Sequence, residues 1–206
     1  MSASRSLKLA VTTGFLILIC LPASSGEDPA KKKNRAHEHL IEARRLAADY
    51  KIGKAADKAR EALKDDEALA EAHVYLGLER FRAGDLKGAE SEFSRALELD
   101  QYQPAAHCQL GFVLYQKGQL DTATDHWTLS ARLDGTSPQA LAGLALAQFK
   151  NGQQDDALKT FEKVLMYDRR FADPAFVAGD NGPKWVDPLL TDFRALQAAA
   201  NQASLR

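Results

Sequence analysis

Cysteine is nearly absent from this 206-residue chain, which carries only Cys20 and Cys108. Two cysteines close at most one disulfide, so a cross-linked small-domain framework is excluded and the core has to come from packing. Charge of one sign is lacking too. The 27 basic and 28 acidic residues nearly cancel, which leaves no field to hold nucleic acid or an acidic lipid surface. Long apolar runs are missing apart from residues 9–23, LAVTTGFLILICLPA. Those fifteen residues would rise about 22 Å as a helix, short of the ~30 Å hydrocarbon core of a bilayer. Also missing are a Gly-rich phosphate loop after a strand, a Cys-x-x-Cys-His haem attachment and a serine nucleophile elbow, so the common catalytic signatures do not apply.

What is there begins with the N-terminus. Arg5 and Lys8 precede the apolar run, and Ala23-Ser24-Ser25 follows it. A basic start, a short apolar middle and small residues at the end read as a signal peptide over 1–25, cleaved after Ser25. Cys20 is preceded by Ile19, where a lipoprotein processing site requires a small residue, so lipidation is not expected. Cleavage leaves 25 basic against 28 acidic residues and Cys108 as a lone thiol. The expected location is periplasmic or secreted, with no stable membrane span after processing; a retained segment would make the protein membrane-anchored. Residues 26–35, GEDPAKKKNR, lack any apolar side chain larger than alanine and carry a basic run, so they read as a flexible basic linker.

From Ala36 onward small, aromatic and acidic residues return every 34 positions. Ala89, Ala123 and Ala157 recur, as do Phe93, Trp127 and Phe161, and Asp100, Asp134 and Asp168. Gly84, Gly118 and Gly152 mark breaks where a left-handed helix end favours glycine. After Gly84, the residues Leu86, Ala89, Phe93, Ala96 and Leu97 share one helical face. Gly77 and Gly111, with Ala145 in the next unit, place small residues in the preceding helix. The pattern predicts that Gly111 faces Ala123 at a close helix crossing, and that the aromatics fill the space between one hairpin and the next. A unit of this size cannot bury its apolar faces alone, so stacking is obligatory.

Residues 75–100, YLGLERFRAGDLKGAESEFSRALELD, resemble the tetratricopeptide repeat (TPR) family in their Leu-Gly, Gly-Asp, Ala, Phe, Ala sequence and spacing. The resemblance covers 36–171 as four units near 36–69, 70–103, 104–137 and 138–171. It implies an all-α, right-handed α-solenoid of helix-turn-helix repeats. The first unit departs from the pattern, with Tyr50 in the place of the turn glycine, and suits a terminal, partly capping repeat. Beyond Ala172 the frame ends. A turn-rich connection, DPAFVAGDNGP, leads to WVDPLLTDFRALQAAANQ, where Asp187 is an expected N-cap, Pro188 the first helical residue, and Leu189, Leu190, Phe193 and Leu196 one apolar face. Residues 172–206 therefore read as a C-terminal extension with a capping helix. Its alternative role is a partner site anchored on Trp185.

The candidate chemistry is thin. His37 and His39 are two apart on a helix and point to different sides. His39, His73 and His107 share one slot of the frame, which sets them about 8–10 Å apart on successive helices; two ligands of one zinc ion lie about 3.5 Å apart. These read as packing histidines, and Cys108 as a structural thiol. No metal and no cofactor is expected, and no catalysis.

What remains is surface. The resemblance implies that the first helix of each unit lines a concave wall. Leu78, Phe112 and Leu146 would form one apolar column there, and Phe81, Tyr115 and Phe149 a second, rimmed by Arg82, Gln116 and Lys150. A contiguous apolar strip of this kind marks a binding groove, unless these side chains pack among the repeats or beneath the chain's own C-terminal segment. The positions that clamp acidic chaperone tails in other family members hold Val74, Leu78, Cys108 and Phe112, so that ligand is not expected. The expectation is an exported, non-catalytic adaptor that binds a protein or peptide partner through this groove. Two rivals stand beside it: an accessory module of an enzyme, with Asp180, Asp187 and Asp192 as its only acids, and a homodimer closed across the groove.

Overall fold

The computed structural model describes residues 27–203 of the chain. Eight helices form four antiparallel hairpins: α1 (Pro29–Ala48) with α2 (Ile52–Asp65), α3 (Ala70–Arg82) with α4 (Leu86–Leu99), α5 (Pro104–Gln116) with α6 (Leu120–Leu133), and α7 (Pro138–Lys150) with α8 (Gln154–Tyr167). A 3₁₀ turn (Arg169–Ala172), the short α9 (Pro174–Ala178) and α10 (Leu189–Ala203) follow. No strand occurs among the described residues. Each hairpin contacts the next in order, so the array is an α-solenoid.

The repeated residues explain the repeated geometry. Within each hairpin the first helix ends in the same left-handed turn, with Gly84, Gly118 and Gly152 at φ of +81°, +78° and +77°. Tyr50 adopts it as well, at +56°. Each second helix ends at an aspartate whose carboxylate accepts the N–H two residues on: Asp66 from Ala68, Asp100 from Tyr102, Asp134 from Thr136 and Asp168 from Arg170, all at 3.0 Å. That local bond turns the chain toward the next unit, which is why acid returns at the 34-residue interval.

Glycine in the first helices makes room for an aromatic ring. A Cβ on Gly111 would stand 2.5 Å from the Trp127 indole, and one on Gly77 2.4 Å from the Phe93 ring. The glycine thus seats the aromatic ring of its own hairpin. Gly143, on the first helix of the next unit, meets the opposite side of Trp127, where a Cβ would lie at 2.4 Å. The indole is fully buried between two backbones, and its Nε1 donates to the Cys108 carbonyl at 3.1 Å. The aromatic therefore joins both within and between hairpins.

Two boundaries differ from expectation. Residues 29–35 are the first turns of α1, capped by the Asp28 carboxylate on Ala30 N–H, where a solvated linker was expected; Arg35 is held there by Glu27 and Asp65. Asp187 uses its carboxylate to accept from the Thr191 hydroxyl, so the N-cap role foreseen for it is replaced by a side-chain bond. The apolar run 9–23 lies outside the described residues. None of the described helices is long and apolar enough to cross a membrane.

The C-terminal segment decides where the core sits. α10 packs on α5, α7 and α8, burying Leu189, Phe193 and Leu196 completely. Trp185 is buried at 2% exposure, so this side chain points into the protein and does not anchor an outside partner.

Candidate functional site

The residues proposed as an open groove converge, but on the chain's own C-terminal segment. Phe112 and Leu146 are fully buried. The Phe112 ring lies 5.1 Å from Trp127 on one side and 4.9 Å from Trp185 on the other, centroid to centroid. Tyr115 donates its hydroxyl to Asp192 at 2.5 Å, and Lys150 reaches the other oxygen of that carboxylate at 3.1 Å. Burial, then the bond to Asp192, raises the Tyr115 pKa. Phe81 is buried in the core, and Leu78 and Phe149 are half-buried against it. Gln116 is half-buried at the end of α5. The apolar columns exist, then, but four of their six members, Phe81, Phe112, Tyr115 and Leu146, are buried, and Phe112 and Tyr115 meet the C-terminal segment directly.

One part of the concave wall stays open. A depression of 450 Å³ is lined by the α1–α2 turn (Asp49 to Lys54), by Glu79 and Arg82 of α3, and by Asp180, Asn181 and Lys184 of the C-terminal segment. Arg82 spans it. Its guanidinium donates to the carbonyls of Asp180 at 2.9 Å and Gly182 at 3.0 Å. Burial pulls the Arg82 pKa below its ordinary value, partly offset by Asp180. Lys184 pairs with Asp180 at 2.8 Å, which holds that carboxyl low. The first turn of α2 adds a floor of open space: nothing lies within 4 Å of a Cβ built on Gly53.

The only two non-glycine residues with positive φ among the described residues are Tyr50, at +56°, and Lys184, at +58°. Both line this depression. Such backbone costs energy for a residue with a Cβ and gathers at ligand clamps and switches. Sequence reasoning had Tyr50 in view, as a glycine out of place, but read it as degeneracy. Lys184 and Asp192 carried no local signal, because their roles depend on where the segment lands.

His73 and His107 have partners on the second helix of their own unit. His73 Nδ1 lies 2.9 Å from Glu92, and His107 Nδ1 lies 2.9 Å from His126 Nδ1. His107 Nε2 donates to the Gln101 carbonyl at 3.0 Å, so its Nδ1 accepts from His126. No three His, Cys, Asp or Glu side chains group to hold a metal among the described residues. Cys108 is buried, and burial raises its thiol pKa, opposite to what a nucleophile needs.

Comparison with known proteins agrees with this geometry. Residues 77–118 match the family described as TPR repeat, and residues 138–171 the one described as tetratricopeptide repeat. No curated protein matches the sequence. Among solved structures, pilF of Pseudomonas aeruginosa is similar with a TM-score of 0.57 and 20% identity, over 84% of this chain and 78% of that one. MamA is similar at 0.49 and 23%, over 69% and 83% respectively. YrrB, described as a TPR protein with an unusual peptide-binding site, is similar at 0.49 and 21%, over 87% and 99%. At these identities the likeness concerns the fold. Residues 77–118 and 138–171 thus match tetratricopeptide repeats, and the four hairpins stack in one solenoid as such repeats do.

Proposed function

We propose that this protein is a non-catalytic, exported adaptor that binds a protein or peptide in the open part of its concave wall. The observation that carries the site is the coincidence of both left-handed non-glycine residues, Tyr50 and Lys184, with one depression. The wall is mixed in charge, with Lys51, Lys54, Arg82 and Lys184 facing Asp49, Glu79 and Asp180. Polar groups with an apolar floor suit an extended segment that offers backbone and side-chain hydrogen bonds. Of the residues first assigned to the groove, Arg82 lines this depression, whereas Phe112, Tyr115 and Lys150 meet the chain's own C-terminal segment. Export rests on the N-terminal signal features, and a role in assembling envelope complexes is the context in which such an adaptor acts.

Gly53 offers a clean test, since a side chain added there enters open space. Gly53→Phe should leave melting unchanged and abolish capture of the partner from a native envelope extract. Lys87→Phe, on the exposed side of α4, serves as the surface control and should bind normally. Undiminished capture by Gly53→Phe would place the site elsewhere.

A further inference from the structure

Four turns of this array share one hydrogen-bond pattern, but only one of them lacks glycine. Tyr50 N–H donates to Ala47 and Lys51 N–H to Leu46, both at 2.9 Å. Gly84 with Asp85, Gly118 with Gln119, and Gly152 with Gln153 make the equivalent bonds. This is the six-to-one and five-to-two pairing of a Schellman helix end. The turn itself gains nothing from tyrosine, because glycine performs it three times at lower conformational cost. Whatever offsets the strain at Tyr50 has to come from its side chain.

That side chain reaches the far end of the protein. The Tyr50 ring meets Phe176 of α9 edge-on, with centroids 5.7 Å apart. The Arg170 guanidinium lies over both rings, 5.7 Å from Tyr50 and 4.7 Å from Phe176. Phe176 stands at the foot of a loop, residues 178–184, whose neck is closed by Trp185 N–H donating to the Val177 carbonyl at 2.8 Å. Both neck residues are buried, while Asp180 and Asn181 at the tip are exposed. The loop is thus a compact turn closed at its neck, in the manner of an Ω-loop, with an exposed tip and Gly182 buried on its inner side. Two things on the first half of the array hold it down: Arg82 on its carbonyls and Tyr50 at its foot. A second depression, of 460 Å³, lies on the other side of Asp180 and Asn181 and is lined by Arg170, Asp173 and Phe176.

We propose that Tyr50 is a latch, held in a strained turn so that its ring clamps Phe176 and Arg170 at the foot of the 178–184 loop, which stands as a gate between these two depressions. As a gate it rests on the reading of the depression as a partner site. As a latch it does not, and it is measured without any partner. Hydrogen exchange of the full chain should show the loop amides exchanging about tenfold faster in Tyr50→Gly, with α3 to α8 protected as in wild type. Tyr50→Phe keeps the ring and should exchange like wild type. In a Phe176→Ala background the ring has lost its partner, so Tyr50→Gly then removes strain alone and should raise Tm by more than it does in the wild-type background. Unaltered loop exchange in Tyr50→Gly would overturn the latch, as would an equal Tm shift in both backgrounds. Undiminished partner capture by Gly53→Phe would instead count against the site, leaving the exchange result standing.

Discussion

Replacing Phe112 with alanine distinguishes an open groove from a filled one. The ring is fully buried between Trp127 and Trp185, at 5.1 and 4.9 Å, so its removal leaves a cavity with an indole on each side. A buried Phe→Ala change costs about 3–5 kcal/mol. At about 2–4 °C per kcal/mol for a chain of this size, Tm should fall by roughly 6–20 °C. Repeats interact with nearest neighbours, so the loss should concentrate where the third unit meets the C-terminal segment. The assay has a built-in reporter, since Trp127 and Trp185 are the only two tryptophans in the protein and both touch Phe112. Loosening of the segment should shift their emission to the red before helicity is lost by circular dichroism. Phe112→Asp should be worse, because it adds an uncompensated buried carboxylate. A Phe112→Ala protein with wild-type Tm and unshifted emission would refute the burial and restore Phe112 to an accessible groove wall.

Two further outcomes are expected. Gly143→Ala puts a Cβ 2.4 Å from Trp127 and should cost about 1–3 kcal/mol by overpacking, whereas Gly53→Ala, with open space around it, should be neutral or slightly stabilising; denaturant midpoints that rank the two the other way would contradict the seating of the indole. Burial, then the adjacent His107, holds the His126 pKa below its ordinary 6.5. The unfolded chain then takes up the proton more readily, so this contribution is complete above the ordinary value and is lost as pH falls through the folded one. Thermal melts between about pH 7 and 5 should therefore show a shallower pH slope in His126→Gln than in wild type, and identical slopes would dissociate the pair from acid stability.

Much of the solenoid was legible in the residues because its determinants are local and repeated. In the second to fourth hairpins a glycine after the first helix, an aspartate at the second helix end and an aromatic on the second helix specify turn, turn and seat within a few residues of themselves. Tyr50 could be seen to break the rule but not why, since the side chains that meet it, Phe176 and Arg170, lie more than a hundred positions away. The apolar columns through Phe112 and Leu146 were equally visible, yet an apolar stripe is the same string of letters whether water, a partner or the chain's own tail covers it. Only the tertiary structure decided that question. It brought Trp185, Asp192 and Phe193 onto the concave wall and left open the region around Gly53 and Arg82. Periodicity is a property of neighbours along the chain, whereas occupancy of a surface depends on the whole path of the chain in space.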